Sequence, residues 1–396
     1  MHFIALCWAF FVEGWNDGST GPLLPTIQNY YHVGFAVVST IFILNAIGFI
    51  VGAFTLVPLM NKFGYGKNPA IDTHLTGAIV QTLAYALQAP PAPFPLLVIS
   101  FGLAGYGLSL ENALGNTYVG SIKSGTLVLL GLLHAAYGLG AFCAPLSATH
   151  FATQTHWSYH YFISLSLAVM NVVFLAAVFR FRDQDSILTE AGHADASDLA
   201  NEGSGHYRAL LGIRAVHFLT AFVTIYIGVE VTLGGWIVTY IVRQRQGGPS
   251  SGYISSGFFG GLTFGRVGLL WLSKRIGEAR ALTMYAILCI ALEVTIWVVP
   301  SLIENALAVS IIGVFMGPMF PILVNHSSKI LPRWLLSGAL GLITGFGQTG
   351  SALLPFITGL LASRFGISSL PPLVVSMTSA MTFLWLLVPK SQRRSD

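Results

Sequence analysis

Apolar residues in this chain are grouped into twelve stretches, each about as long as a membrane span. A helix needs roughly 20 consecutive apolar residues to cross the hydrocarbon core of a bilayer. In lipid the backbone must satisfy its own hydrogen bonds, so such stretches are expected to be helical. The composition agrees, since 54% of the 396 residues are hydrophobic and 9% are charged. The sequence therefore predicts an all-α membrane protein with twelve transmembrane helices at residues 2–24, 35–60, 69–89, 94–120, 125–152, 157–180, 213–242, 251–273, 281–300, 302–324, 335–361 and 367–389.

Positively charged residues are distributed unequally between the two membrane sides that these spans define. With a cytoplasmic N-terminus, fifteen of the 19 lysines and arginines fall in cytoplasmic segments. Three fall on the opposite side, and Arg266 lies inside a span. Short cytoplasmic loops of membrane proteins are enriched in Lys and Arg. We therefore expect both termini in the cytoplasm. The plasma membrane is the expected location, with a vacuolar or other internal membrane as the alternative. The net charge of +4 reflects this topology and does not indicate a nucleic-acid partner.

A polar segment at residues 181–211 divides the spans into two groups of six. It predicts a cytoplasmic linker between an N-terminal six-helix bundle, residues 1–180, and a C-terminal bundle with a short cytoplasmic tail, residues 212–396. The halves repeat several features, including a short basic turn with a glycine at residues 61–67 and at residues 273–280. Pseudo-symmetric halves with a substrate site near the membrane midplane are typical of alternating-access transporters.

Five carboxylates lie inside the predicted spans, namely Glu13, Asp17, Glu111, Glu230 and Glu293. A charge at bilayer depth costs about 2.5–3.5 kcal/mol on insertion scales, so such residues usually face a bundle interior or a wet cavity. Carboxyl groups in such places can exchange protons and can accept hydrogen bonds from a polar solute. Asp17 is expected at a glycine-rich break in the first helix. For each acid the alternative is a structural role, and for Glu293 we favour that alternative.

No enzyme signature accompanies these acids. The 43 glycines include no phosphate-binding loop of the GxxxxGK[ST] type. No group of cysteine and histidine residues has the spacing of metal ligands. We therefore expect no enzymatic activity, no metal and no cofactor, with protons as the coupling ion.

The first and seventh spans carry the motifs that narrow the family most. Residues 16–25 contain Asn-Asp-Gly followed by Gly-Pro-Leu-Leu-Pro, and residues 226–236 contain Tyr-Ile-Gly-Val-Glu followed by Gly-Gly-Trp. Residues 110–116, 134–141 and 317–321 add support. Over essentially its whole length the chain resembles a major facilitator superfamily transporter. More narrowly, it resembles the fungal relatives of the fucose/glucose–galactose proton symporter family.

Two places depart from the pattern of these families. The turn after the second span reads Asn61-Lys62, where the superfamily usually carries Asp-Arg. In the fourth span the family has a glutamate four residues before an asparagine. Anchoring that pattern on Asn116 places Asn112 at the glutamate position, with Glu111 one residue earlier and thus about 100° around the helix.

The resemblance implies import of a monosaccharide coupled to protons, with Asp17 near the sugar and Glu111 as proton carrier if it faces the cavity. Amides suit sugar recognition because they both donate and accept hydrogen bonds. Trp15 and Trp236 offer rings that can stack on a pyranose, with packing as the alternative. The candidates for substrate contact are Asn16, Asp17, Asn112, Asn116, His134, Tyr137, Glu230, Trp236 and Gln348, and those for proton coupling are Asp17, Glu111, Glu230 and Glu13.

Three further expectations concern partners and rival functions. Arg266 is the only basic residue inside a predicted span and needs a carboxylate partner, for which Glu293 is one candidate. The chain is expected to act as a monomer in the bilayer, with a small sugar-like solute and protons as its partners. The rival functions are proton-coupled export of small organic molecules or secondary metabolites, and nutrient sensing by a receptor that does not transport.

Overall fold

The computed structural model describes residues 1–63, 73–120, 122, 126–179 and 210–389, and nearly all of them are helical. The predicted all-α fold is confirmed. The helices are α1 (His2–Tyr31), α2 (Phe35–Val38), α3 (Thr40–Phe63), α4 (Thr73–Gln88), α5 (Phe94–Gly120), α6 (Thr126–Ala152), α7 (His160–Phe179), α8 (Arg214–Gln244), α9 (Tyr253–Gly268), α10 (Leu270–Ile276), α11 (Glu278–Val298), α12 (Leu302–Met316), α13 (Met319–Ile330), α14 (Arg333–Gly347), α15 (Thr349–Phe365) and α16 (Leu370–Leu387).

Each predicted span coincides with one helix or with a pair of helices separated by a short break. The pairs are α2 with α3, α9 with α10, α12 with α13, and α14 with α15. Within the described ranges, nine segments are long and apolar enough to cross a membrane by length and composition. The other three are α1, which carries two acids and three amides; α4, which has 16 residues; and the α9–α10 pair, which breaks at Leu269.

The first helix differs from expectation because it runs unbroken through Asp17. Its glycines serve close packing instead of a break in the helix. A methyl group at Gly18 would lie 2.4 Å from the carbonyl oxygen of Ala141 on α6. One at Gly21 would lie 2.1 Å from the carbonyl oxygen of Gly234 on α8. Small residues at such crossings allow the close helix approach on which packing in lipid depends.

The helices form two compact units. The first comprises Met1–Ser19 and Thr40–Asn201, and the second comprises Thr20–Ser39 and Glu202–Asp396. Residues 20–39 therefore belong with the second unit by their contacts. One such contact places Ser39 beside Gly359 on α15.

The predicted halves, residues 1–180 and 212–396, stay a prediction. Most of the predicted linker, up to residue 209, lies outside the described residues, as does the basic turn from residue 64 onward.

The core of the first unit lies between the start of α1 and the ends of four other helices. Its buried side chains come from α1, α4, α5, α6 and α7, and His2 of α1 packs edge-on against Phe179 at 5.0 Å. Because this core ends near Phe10, the acids on α1 begin one turn beyond it. The core side chains are Ala5, Leu6, Phe10, Ala78, Tyr118, Val119, Leu133, Leu175 and Phe179.

In the second unit, α8 is the central helix and packs against α14, α15 and α16. The helices α9 and α12 cross at glycines. A methyl group at Gly261 would lie 2.2 Å from the carbonyl oxygen of Ser310, and one at Gly265 would lie 2.0 Å from that of Val314. This packing fixes the sides of α8 and α9 that carry Glu230 and Arg266.

Candidate functional site

The first unit holds a network of polar side chains centred on α1. Glu13, Asn16 and Asp17 follow one another along this helix, so the two carboxylates lie one turn apart. The helices α4, α5 and α6 supply the groups that bond to them. Two branches of the network can be distinguished, one at each carboxylate.

The Glu13 branch is buried. Glu13 is 8% exposed, and its Oε1 accepts a hydrogen bond from Nδ2 of Asn112 on α5 at 2.7 Å. Asn116, one turn further along α5, donates to the side-chain oxygen of Asn112 at 3.0 Å. The Oε2 atom of Glu13 is buried and has no hydrogen-bond partner among the described residues. One oxygen of this carboxyl group is thus left for a proton or a ligand.

The Asp17 branch reaches an exposed position. Asp17 is exposed, and its Oδ2 accepts a hydrogen bond from the hydroxyl of Tyr137 on α6 at 2.7 Å. Its Oδ1 accepts from Asn16 at 3.2 Å. The Asn16 oxygen in turn accepts from the Tyr85 hydroxyl at 3.2 Å, and Gln81 donates to that hydroxyl at 3.3 Å. An accessible carboxylate among donors and acceptors is suited to binding solute hydroxyls.

Glu111 does not join this network, although it is adjacent to Asn112. It is 3% exposed, and its Oε2 accepts from Asn171 on α7 at 2.7 Å. Consecutive residues of a helix point about 100° apart, so the side chains of Glu111 and Asn112 face different neighbours. The structure therefore brings Asn112, and not Glu111, to the acids on α1. Like Glu13, Glu111 is buried, and its Oε1 has no hydrogen-bond partner among the described residues. The role of Glu111 as proton carrier stays a prediction.

His134 and Tyr137 both lie on α6 but have different contacts. Tyr137 bonds to Asp17, whereas the half-buried ring of His134 packs edge-on against Phe10 with the ring centres 5.6 Å apart. The substrate contact of His134 stays a prediction.

Sequence reasoning missed Tyr85, and the available signal was its spacing from Gln81. Residues four apart share one face of a helix, and both side chains are fully buried or nearly so, at 1% and 0% exposed. A buried tyrosine needs a partner for its hydroxyl. The pair therefore links α4 to Asn16 and orients that amide beside Asp17.

Sequence reasoning also missed a second group, which is centred on His160 and packs against Trp15 and Ser19 of α1. The His160 ring is fully buried and stacks on Trp15 with the ring centres 5.5 Å apart. Its Nε2 lies 2.8 Å from Ser19 Oγ and its Nδ1 lies 3.1 Å from Ser147 Oγ. Since Ser19 donates to the Trp15 carbonyl oxygen, it must accept from Nε2–H. In the neutral ring, which full burial favours, Nδ1 accepts from Ser147.

The second unit places Glu230 beside Arg266. The shortest distance from Glu230 Oε1 to the guanidinium is 3.5 Å, with the side chains 11% and 20% exposed. This corrects the suggested pairing of Arg266 with Glu293. Glu230 lies nearer to Arg266 because α8 and α9 are neighbouring helices. Spacing along the chain does not reveal this contact.

The two remaining candidates in the second unit differ in accessibility. Trp236 is 0% exposed, and its indole N–H donates to the carbonyl oxygen of Pro355 at 3.0 Å. Trp15 is similarly occupied, since its indole N–H donates to Ser164. The geometry of both indoles is typical of helix packing. Gln348 is half-buried at the junction of α14 and α15.

In the part of the chain that the structure describes, no three or more His, Cys, Asp or Glu residues are grouped to hold a metal ion. A family model described as Major Facilitator Superfamily matches residues 6–333. The chain belongs to the Major Facilitator Superfamily.

Three known proteins are similar to this chain over most of its length. The superfamily member described here is 26% identical to Bypass of stop codon protein 6 of Saccharomyces cerevisiae over 416 residues, covering 98% of this chain and 82% of that protein. It is 24% identical to the Glucose/mannose transporter GlcP of Bacillus subtilis over 357 residues, covering 88% and 85% of the two chains. The crystal structure of a D-xylose-proton symporter shares the fold, with a TM-score of 0.78, 13% identity and coverage of 98% and 97%.

As a member of this superfamily, the protein is an integral, multi-pass membrane protein. It is a transporter of a small-molecule substrate and not an enzyme. The sequence motifs of the first and seventh spans identified the superfamily correctly.

Proposed function

We propose that this transporter imports a monosaccharide-like solute together with protons by alternating access. The observation that carries the proposal is the pair of carboxylates on α1. Asp17 is exposed and bonded to Tyr137, whereas Glu13, one turn away, is buried with one oxygen unbonded in the described structure. This difference supports a division of roles in which one acid meets a solute and the other holds a proton.

The chemistry of the two acids supports coupling between proton binding at Glu13 and solute binding at Asp17. Two carboxylates one helical turn apart repel each other when both are charged, and more strongly where water is scarce. Proton uptake by Glu13 relieves that repulsion and favours a state in which Asp17 accepts hydrogen bonds from a solute. Asn112 and Asn116 connect the proton site to α5, so a change at Glu13 is passed to a second helix.

The relatives support a sugar as the substrate class. One is named as a glucose/mannose transporter and another as a D-xylose-proton symporter. The amides and hydroxyl around Asp17 offer the donors and acceptors that sugar recognition requires. A plasma-membrane location, cytoplasmic termini and a monomeric transport unit remain parts of this proposal.

Uptake by proteoliposomes tests the proposal. The purified protein is reconstituted and offered labelled glucose, mannose and xylose, with and without an inward proton gradient. We expect gradient-driven accumulation of at least one sugar. Asp17→Asn should abolish accumulation and exchange, whereas Glu13→Gln should abolish accumulation but retain exchange of internal and external sugar. Glu278→Gln, which neutralises a carboxylate far along the chain on α11, serves as the control.

Two outcomes would contradict the proposal. Sugar-independent proton flux with efflux of hydrophobic compounds would favour the export function. Sugar binding by the wild-type protein, without uptake or exchange under either condition, would favour a receptor.

A further inference from the structure

Glu293 is a buried acid that the proposed mechanism does not use. It lies on α11, five residues before the helix ends at Val298, which corresponds to about 8 Å of helix. Its side chain is 2% exposed. It belongs to the second unit, whereas Glu13 and Asp17 belong to the first. The described hydrogen bond of Glu293 is to Thr378 and not to a member of the network on α1.

Among the described residues, only one of the two Glu293 carboxyl oxygens has a hydrogen-bond partner. The hydroxyl of Thr378 on α16 donates to Oε1 at 2.8 Å. The Oε2 atom is buried and has no hydrogen-bond partner in the described ranges. The candidate cation, Arg266, bonds to Glu230 instead. A carboxylate with one neutral donor and no cation is poorly stabilised in an apolar interior. Binding of a proton therefore removes a substantial free-energy cost of burying the charge.

The charged and titratable groups on the elements around Glu293 have other described partners or lie on other turns. On α11 the nearest is the buried thiol of Cys289, one turn earlier. The described residues of α16 include no charged side chain. On α12, Glu304 accepts from Asn305.

Two further elements carry charges near this region. Beyond the end of α8, Arg245 donates to Asn305 and to the Ile296 carbonyl oxygen, and the Tyr240 hydroxyl donates to the same carbonyl. The cations on α10 and α13 are Lys274, Arg275 and Lys329, of which Arg275 stacks on Trp271 and Lys329 bonds to Glu278. None of the described hydrogen bonds or ion pairs of these groups includes the Glu293 carboxyl.

A narrow crevice lies beside Glu293. Its volume is about 10 Å³, which is room for about one water molecule. Its apolar lining comes from α8, α11 and the first residues of α16: Leu233, Ile237, Ile296, Leu370, Pro371 and Val374. Because Leu370 begins α16 and Ile296 lies near the end of α11, the crevice lies toward the helix ends. It leaves room for about one water molecule beside the carboxyl on that side.

We propose that Glu293 is a second proton-binding site, which exchanges its proton through this crevice with the membrane side on which α11 ends. The ligand is a proton, carried by a water molecule. Protonation converts the carboxylate to a carboxylic acid, with no other reactant. The site links α11 to α16 through Thr378, so its occupancy alters the contact between these two helices.

Infrared difference spectroscopy of the full-length protein in liposomes tests this proposal. Spectra recorded across a pH titration should contain a carboxylic-acid C=O band that Glu293→Gln removes. Glu304→Gln and Glu13→Gln should retain it. Thr378→Val should retain the band but bind the proton about tenfold more tightly, since it loses the one described donor to the charged form.

The route is tested by hydrogen–deuterium exchange of the same band. Val374→Phe, which fills the crevice, should slow the exchange, whereas Val375→Phe on the neighbouring position should not. Equal exchange rates in the wild type and Val374→Phe would overturn the proposed route.

The proposal fails if folded Glu293→Gln retains every titrating carboxyl band, or if sodium at constant pH produces the same change as protons. If Glu293→Gln does not fold, an unchanged titration in Thr378→Val overturns it. The readout needs no sugar, so loss of the Glu293 band and failure of sugar uptake are independent results.

Discussion

The acids of the first and seventh spans occupy corresponding places in the chain, but they are held by different kinds of partner. Glu13 on α1 accepts a hydrogen bond from the neutral amide of Asn112 at 2.7 Å. Glu230 on α8 faces the cation Arg266 at 3.5 Å. A carboxyl group with a neutral donor can gain a proton without leaving its partner as an unpaired charge. A carboxylate in an ion pair cannot, because its partner would be left buried and charged. The comparison supports our proposal that proton exchange takes place on α1, whereas α8 holds a charge pair.

The largest expected effect comes from breaking the ion pair. Arg266→Met leaves Glu230 as an uncompensated buried charge and should lower the free energy of unfolding by about 3 kcal/mol, toward the lower end for buried pairs because Arg266 keeps partial exposure. Adding Glu230→Gln should restore most of this loss. Thermal unfolding in detergent provides the measurement. A double variant as unstable as the single one would show that the pair is not the cause.

A smaller loss of stability is expected at the hydrogen bond between Glu13 and the neutral amide of Asn112. Asn112→Leu removes the described donor to Glu13 and should cost about 1–2 kcal/mol. The loss should be larger at high pH, where the carboxyl is ionised and depends on its donor, than at low pH, where it holds a proton. Melting temperatures at two pH values give the comparison. A loss that is independent of pH would mean that Glu13 does not change its protonation state.

The smallest effect is expected at Glu111. Glu111→Gln keeps an oxygen for the Asn171 amide, so the stability change should stay below about 1 kcal/mol. Transport and its dependence on the proton gradient should be unchanged. The uptake assay used for Glu13→Gln provides the comparison. Loss of coupling in Glu111→Gln would restore the role that the family resemblance implied and would break the assignment to Glu13.

Some features of the site were readable from the sequence because they depend on local spacing. Glu13 and Asp17 are four residues apart, so any helix places them on one side. The choice between Glu111 and Asn112 was not readable, since either can face α1 depending on helix rotation. The structure decides it through Asn171, which lies 60 residues from Glu111 and bonds to it.

The sequence by itself determined that this chain is an all-helical membrane protein of the superfamily, since span length, apolar composition and the motifs near Asp17 and Glu230 are properties of short segments. Only the tertiary structure decided which polar groups meet. It paired Arg266 with Glu230 and left Glu293 with Thr378. The physical reason is that a buried charge is satisfied by its neighbour in space, and helix packing sets that neighbour.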